Sequence, residues 1–396
     1  MYDRMRERRY DLDWLRVIAF GLLILFHTGM MFVSWDWHVK NPETSVVLEW
    51  VMRFLHEWRM PLLFFISGAA VWFAMEKYPL LSYLRERTVR LFVPLVFGML
   101  VVIPPQVYFE RRFQGWDYAS FWEFYPTIFT SGSYPQGNMS WHHLWYLPYI
   151  LSYSLVLLPI LLLLRTPRGR KAMAVVRGAL CRPGALLLLC VPSTVSDLCL
   201  RPFWPSDNNN LVADWGNFSS KAIIFLTGFL LCSGEEVWRR IERDRFRALG
   251  MGILATCVLY FSWYSHFEIQ GPVRAAYRVL RNLNLWCWIL GLLGLARRHL
   301  YFNHPFLKYA TEAVYPWYIL HQTVIVAIGY YVAGWDLPLW WKYLIVLIAM
   351  AVVTGLLHEF VIRRTPVLRP FFGLKIKRSG RKSQALVAEC APVAGS

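Results

Sequence analysis

The sequence predicts an all-α integral membrane protein, a polytopic bundle of about ten transmembrane helices with both termini in the cytoplasm. Three observations predict it. Of 396 residues, 57% are hydrophobic and only 17% charged, against roughly 25% charged in soluble chains. Apolar runs long enough for a hydrocarbon core of about 30 Å recur along the whole chain. The 42 Lys and Arg outnumber the 25 Asp and Glu, for a net charge of +17, and they collect in alternate loops.

Taken in order, the apolar runs predict helices near 14–34, 59–76, 91–109, 143–164, 184–200, 220–236, 248–265, 282–296, 312–333 and 341–362. The eighth is short, and the fifth carries Pro192, Ser193 and Asp197, so nine or eleven spans are also compatible. Placing the N-terminus inside puts 31 of the 42 basic residues in segments 1–16, 76–90, 165–183, 237–247, 297–311 and 363–396. Short loops rich in Lys and Arg stay in the cytoplasm, so the basic excess is mainly an orientation signal. Because those residues are scattered over six loops, they argue against nucleic acid as a partner and for the lipid bilayer. The first run lacks a signal-peptide cleavage pattern and is kept as a helix. Three regions result: a basic cytoplasmic N-terminus at 1–13, a membrane domain at 14–362, and a basic, solvated cytoplasmic tail at 363–396 with no soluble catalytic domain appended. Seven Cys form no CxxC pair, and most sit in apolar runs (Cys190, Cys199, Cys232, Cys257, Cys287). They predict neither a disulfide framework nor a zinc site.

Ionisable groups at membrane depth are costly, so each is a functional candidate. Arg16 and His27 are eleven residues apart, which returns to within about 20° on a helix and separates them by about 16 Å along its axis. They form a polar track from the cytoplasmic surface past mid-membrane, with Asp13 beside Arg16 as an ion-pair partner. The plainer alternative makes Arg16 a snorkelling anchor and His27 a hydrogen-bond partner of a neighbouring helix. Arg87 and Arg90 are neighbours on one helix face at the start of the third span, placed to hold phosphates or to serve as a positive-inside flank. Glu312 and His321 are nine residues apart and face opposite ways unless Pro316 bends the helix.

At the other surface, Trp35-Asp36-Trp37-His38, the segment Trp116 to Trp122, and Trp141-His142-His143-Leu144-Trp145 gather aromatic and polar groups. Trp rings stack on sugars and His or Asp bond hydroxyls, while a lipid-facing aromatic belt explains part of the same set. Trp37, His38, His143 and Trp145 are therefore candidates for binding an acceptor. His142 and His143 resemble half of a metal site, but adjacent residues face apart, and no metal is expected.

These residues also resemble a known family. Tyr10-Asp11-Leu12-Asp13-Trp14-Leu15-Arg16 with Phe26-His27, Arg59-Met60-Pro61 through Phe64-Phe65-Ile66-Ser67-Gly68, Arg87-Thr88-Val89-Arg90 before Pro94, His143-Leu144-Trp145-Tyr146-Leu147 and Tyr318-Ile319-Leu320-His321 are similar to motifs of the acyltransferase-3 family of multi-span membrane acyltransferases. Trp37-His38-Val39, Pro104-Pro105-Gln106 and Arg364-Thr365-Pro366 to Phe372-Gly373 look most like the branch that succinylates periplasmic glucans. His321-Gln322 departs from the two adjacent histidines of that branch.

The resemblance implies transfer of a succinyl or acetyl group from cytoplasmic acyl-CoA, a co-substrate and not a permanently bound cofactor, to a hydroxyl of a periplasmic glucan or other glycan across a bacterial inner membrane. The family's essential first-helix histidine matches His27, as base or acyl relay. Its first-helix arginine matches Arg16 and its RxxR pair Arg87 and Arg90, which would hold the donor, with Glu312 and His321 supporting. Two rival classes are a transporter or flippase with Asp197, His27 and His321 along its route, and a scaffold in glucan assembly.

Overall fold

The computed structural model describes residues 8–205, 208–265 and 270–375, and all its regular elements are helical apart from an isolated bridge between Ser133 and Met139. Each predicted span falls on a helix. These are α1 (Tyr10–Gly29), α2 (Val46–Lys77), α3 (Leu80–Phe113), α4 (Tyr146–Val156) bent into α5 (Leu158–Arg165), α6 (Pro167–Leu180), α7 (Cys190–Leu200), α8 (Trp215–Leu231), α9 (Glu236–Tyr264), α10 (Gly271–His299), α11 (Pro305–Val332) and α12 (Leu339–Leu356).

By length and composition, six helices among the described residues can each cross a membrane, and the α4–α5 pair, bent by 53°, makes a seventh if it is one span. The difference from ten has physical causes. The 17-residue α8 and the apolar stretch Ala185–Leu200 are shorter than the roughly 20 residues a span needs, and Pro316, His321, Gln322 and several tyrosines dilute α11.

Several helices also run past their apolar parts. Helix α2 begins at Val46, where the Leu48 N–H donates to Ser45 Oγ at 3.3 Å, so Arg59 lies well inside the helix and not at its edge. The added turns are charged, and they are held by pairs such as Glu49–Arg53 at 2.8 Å and, in α9, Arg240–Asp244 at 2.5 Å. Such i,i+4 pairs support helix that hydropathy alone does not register.

Helix α1 is the axis of the bundle, packed against α2, α10, α11 and α12. Helices α2 and α8 cross where each presents a glycine. A Cβ on Gly68 would lie 1.8 Å from the Phe225 carbonyl oxygen, and one on Gly228 would lie 2.0 Å from that of Phe65. Close backbone approach through small residues is the usual way helices associate in lipid, where apolar side chains gain little by leaving it.

Prolines in α3 free two carbonyls, and tyrosines from other elements donate to both. Pro94 leaves the Arg90 carbonyl without its helical donor, and Tyr315 Oη donates to it at 2.9 Å. Pro104 does the same to Leu100, inside a π-helical turn at Gly98–Val102, and Tyr125 Oη donates to it at 2.9 Å. This satisfaction is what allows proline in a membrane helix, and it ties α11 to the terminal side of α3.

Residues following α12 fold back on the bundle. Arg369 Nη2 donates to Glu312 at 3.0 Å and its Nε to the Lys375 carbonyl at 2.8 Å, while Phe371 and Phe372 pack 5.0 and 5.3 Å from Phe97. The start of the expected solvated tail is thus packed. Residues 376–396 and 1–7 lie outside the described residues.

Candidate active site

The last turn of α1 carries His27, and its ring stacks parallel to that of His321 from α11, with Nδ1 of His27 2.8 Å from Nε2 of His321. The hydrogen-bond pattern sets both tautomers. His321 Nδ1 lies 2.8 Å from the Tyr318 carbonyl and 3.1 Å from that of Trp317, and a carbonyl only accepts. Nδ1 of His321 therefore carries the hydrogen, its Nε2 accepts from Nδ1–H of His27, and Nε2 of His27 keeps the free lone pair when both rings are neutral. His27 lines a cavity of about 860 Å³, so that lone pair belongs to a group accessible to a ligand.

Arg59 lines the same cavity. Its side chain is buried over the Phe26 ring at 3.9 Å, and Nε and Nη1 have no hydrogen-bond partner. A buried, unpartnered guanidinium is expensive. Its cost is recovered when an anion or a developing oxyanion binds beside it.

The four proposed acceptor residues all line this cavity. The Trp37 ring lies 5.3 Å from His27, and His143 lies 5.2 Å from His321 while its Nε2–H donates to the Ile319 carbonyl at 3.0 Å. Trp145 packs 5.2 Å from Tyr149 and 5.8 Å from Phe64. The loop bearing Trp37 and His38 is held by the Lys40 ammonium, which donates to the carbonyls of Met30 at 3.1 Å, Trp35 at 2.8 Å and also Val33. Burial draws the Lys40 pKa down, against the opposing pull of Asp36 and Glu49. In the same lining, Asp197, Asn209, Asn210, Asn217 and Asn282 supply carboxylate and amide groups, with Asn282 Nδ2 donating to Asp197 at 2.8 Å. Trp rings together with several amides make a lining suited to a polyhydroxylated ligand.

The arginines expected to hold the donor are not among the cavity's lining residues and lie toward the end that carries the start of α1 and the segment after α12. Arg16 donates to Asp13 at 2.9 Å, as the ion-pair reading expects. Arg90 is exposed at the surface and close enough to feel the charges of Arg16 and Arg87, and Nε and Nη2 of Arg87 are unpartnered. Three tyrosines lie between this cluster and His27. Tyr315 is bonded to the Arg90 carbonyl and stacks on Tyr318 at 6.5 Å; Tyr318, which lines the cavity, donates to the His143 carbonyl at 2.6 Å; and Tyr146 Oη lies 2.6 Å from Ser67 Oγ. Tyr315, Tyr318 and His321 are spaced three apart on α11 and so form one stripe. Glu312 faces elsewhere, to Arg369, and does not line the cavity.

Sequence reasoning missed Arg59 and the amide wall as site residues. Arg59 carried a signal, an arginine directly before Met60-Pro61 and an apolar run, but it fell at the predicted edge of a span, where arginine is ordinary.

The family model described as an acyltransferase domain (Acyl_transf_3) matches residues 9–359. The chain belongs to this acyltransferase-3 family. It is also similar to proteins named glucans biosynthesis protein C. Those of Escherichia coli K12 and of Escherichia coli strain 536 are each 28% identical over 148 residues, a stretch that covers 36% of this chain and 36% of the relative. The match spans little more than a third of the curated relatives. No solved structure matches.

Proposed function

We propose that the protein is a bacterial inner-membrane O-acyltransferase, multi-pass with both termini in the cytoplasm, that moves a succinyl or acetyl group from cytoplasmic acyl-CoA to a hydroxyl of a periplasmic glucan or related glycan. The observation that carries this reading is the His27–His321 pair opening on a cavity that also holds an unpartnered arginine and a Trp- and Asn-lined wall. Family membership and the relatives' names support it.

In this reading Nε2 of His27 takes the proton of the acceptor hydroxyl as its oxygen attacks the thioester carbonyl. The imidazolium is stabilised through Nδ1–H on His321, whose own Nδ1–H is anchored on backbone carbonyls. Arg59 faces the tetrahedral oxyanion, the role that fixed cationic donors play in acyl transfer. The C–S bond then breaks, the CoA thiolate leaves, and it takes the proton from His27. Ester and free thiol are the products. Arg16, Arg87 and Arg90 bind the CoA phosphates, and the pantetheine arm passes between Tyr146 and the Tyr315–Tyr318 stripe.

Mass spectrometry of periplasmic glucans from cells with and without the protein tests this reading. A mass increment of one succinyl or one acetyl group per site, present only with the protein, is expected and names the acyl group. Identical glucans in both strains, with no other acylated glycan lost, overturn it.

A further inference from the structure

Beside the cavity three ligand-type atoms from separate segments converge: Nδ1 of His38 in the loop after α1, Oε2 of Glu110 near the end of α3, and Nε2 of His142 in the turn before α4. All three lie within 4.8 Å of one another. His38 Nδ1 is 3.0 Å from Glu110 Oε2, and His142 Nε2 is 3.9 Å from it. The side chains are 11%, 3% and 5% exposed. None of the three atoms has a hydrogen-bond partner, because even the 3.0 Å contact is not aligned for one. One buried orphan is tolerable; three aimed at one point ask for a shared partner.

We propose that His38, Glu110 and His142 bind one divalent transition-metal ion of the zinc class. Two imidazoles and one carboxylate suit a borderline cation, whereas magnesium and calcium prefer all-oxygen shells. Zinc–ligand bonds of about 2.0–2.2 Å in a tetrahedron set ligand atoms roughly 3.4 Å apart; two of the three pairs here, at 3.0 and 3.9 Å, bracket that value and the third lies within 4.8 Å. Three protein ligands leave one position open. His38 and His142 line the cavity, so that position faces it.

The surroundings are arranged as the outer shell of such a site. Tyr134 Oη donates to the other carboxylate oxygen, Glu110 Oε1, at 2.8 Å. Gln106 and Gln322 each place a side-chain amide 3.0 Å from His38 Nε2. Ligation through Nδ1 puts the hydrogen on Nε2, and either amide can turn its oxygen to accept it. Arg111, next to Glu110, is engaged elsewhere, with Asn138 at 2.9 Å and with the Pro135 and Gly137 carbonyls at 2.8 Å. His142 has φ +35°, the left-handed region that a residue with a Cβ enters at a cost.

The expectation of no metal rests on His142 and His143 facing apart. They do, and the partners of His142 come from two other segments. A cation here ties together the loop after α1, the end of α3 and the turn before α4, and, on the reading of the cavity as an acyl-acceptor site, offers its open position to an acceptor hydroxyl.

The test uses the full chain in detergent, stripped with EDTA, titrated with ZnCl2 and assayed for bound metal by inductively coupled plasma mass spectrometry, with CoCl2 absorption reporting tetrahedral coordination. One ion per chain is expected. Glu110→Gln and His142→Asn should bind at least about tenfold more weakly, and Tyr134→Phe about tenfold, the usual effect of losing an outer-shell partner. Asn tolerates the left-handed backbone, so His142→Asn removes the ligand without forcing the turn to refold. The proposal is overturned if wild type takes up no ion, or if monodisperse His142→Asn binds zinc as tightly as wild type. Because metal content is read without any acyl transfer, this failure is distinct from a failure of the proposed activity.

Discussion

His27 and His321 are 294 residues apart in the chain and 2.8 Å apart in the fold, and the carbonyls of Tyr318 and Trp317 fix which nitrogen of each ring carries the hydrogen. If His321 orients and stabilises His27, His321→Ala should lower kcat by about 100-fold, the low end of what a positioned proton acceptor contributes, with little change in either KM. Steady-state kinetics with purified protein check this. A rise in KM alone would instead mark His321 as a packing residue.

Arg59 has the geometry of an oxyanion partner: buried, unpaired at Nε and Nη1, and in the same cavity as His27. Arg59→Gln should cost about 100- to 1,000-fold in kcat, as the loss of one oxyanion donor does in other acyl transfers. Donor affinity, measured separately by titration calorimetry, should hold. Retained kcat with weakened donor binding would move Arg59 to a ground-state role.

Arg87 and Arg90 sit near the start of α3 and are not among the residues lining the cavity. The double variant Arg87→Ala, Arg90→Ala should weaken acyl-CoA binding while leaving glycan binding intact, and salt should weaken the wild type more than the double variant, because salt screens the attraction of these guanidiniums for phosphate. Unchanged acyl-CoA affinity would reduce both arginines to topology markers.

The crossing of α2 and α8 gives a stability prediction independent of function. Gly68→Ala or Gly228→Ala places a Cβ 1.8 or 2.0 Å from a backbone carbonyl oxygen, whereas a Cβ at Gly21 meets nothing within 4 Å. Overpacking costs typically 1–3 kcal/mol, so both variants should melt lower in detergent than wild type while Gly21→Ala does not. Equal melting of all four proteins would contradict the close crossing.

Much of this was legible in the residues. Apolar runs located a helix for each expected span, and charge at membrane depth pointed to His27. Its joining with His321 was not legible, because a helix face can be read from spacing but the neighbour it meets cannot. Arg59 was obscured for a related reason. Hydropathy trims the charged turns from a helix, so the segment from Val46 to Trp58 looked like loop although Ser45 caps it and Glu49–Arg53 supports it. The His38–Glu110–His142 cluster lay hidden because its members come from three segments. The one visible clue, the His142-His143 pair, named only one true member.

The most direct measurement of the central claim is acceptor-dependent release of free CoA thiol from succinyl-CoA or acetyl-CoA by purified protein in proteoliposomes, comparing wild type with His27→Ala. Wild type should release thiol and acylate the added glucan in equal amounts. The variant, equally well inserted, should lose at least about 100-fold of that rate. Equal rates for the two proteins would contradict the account.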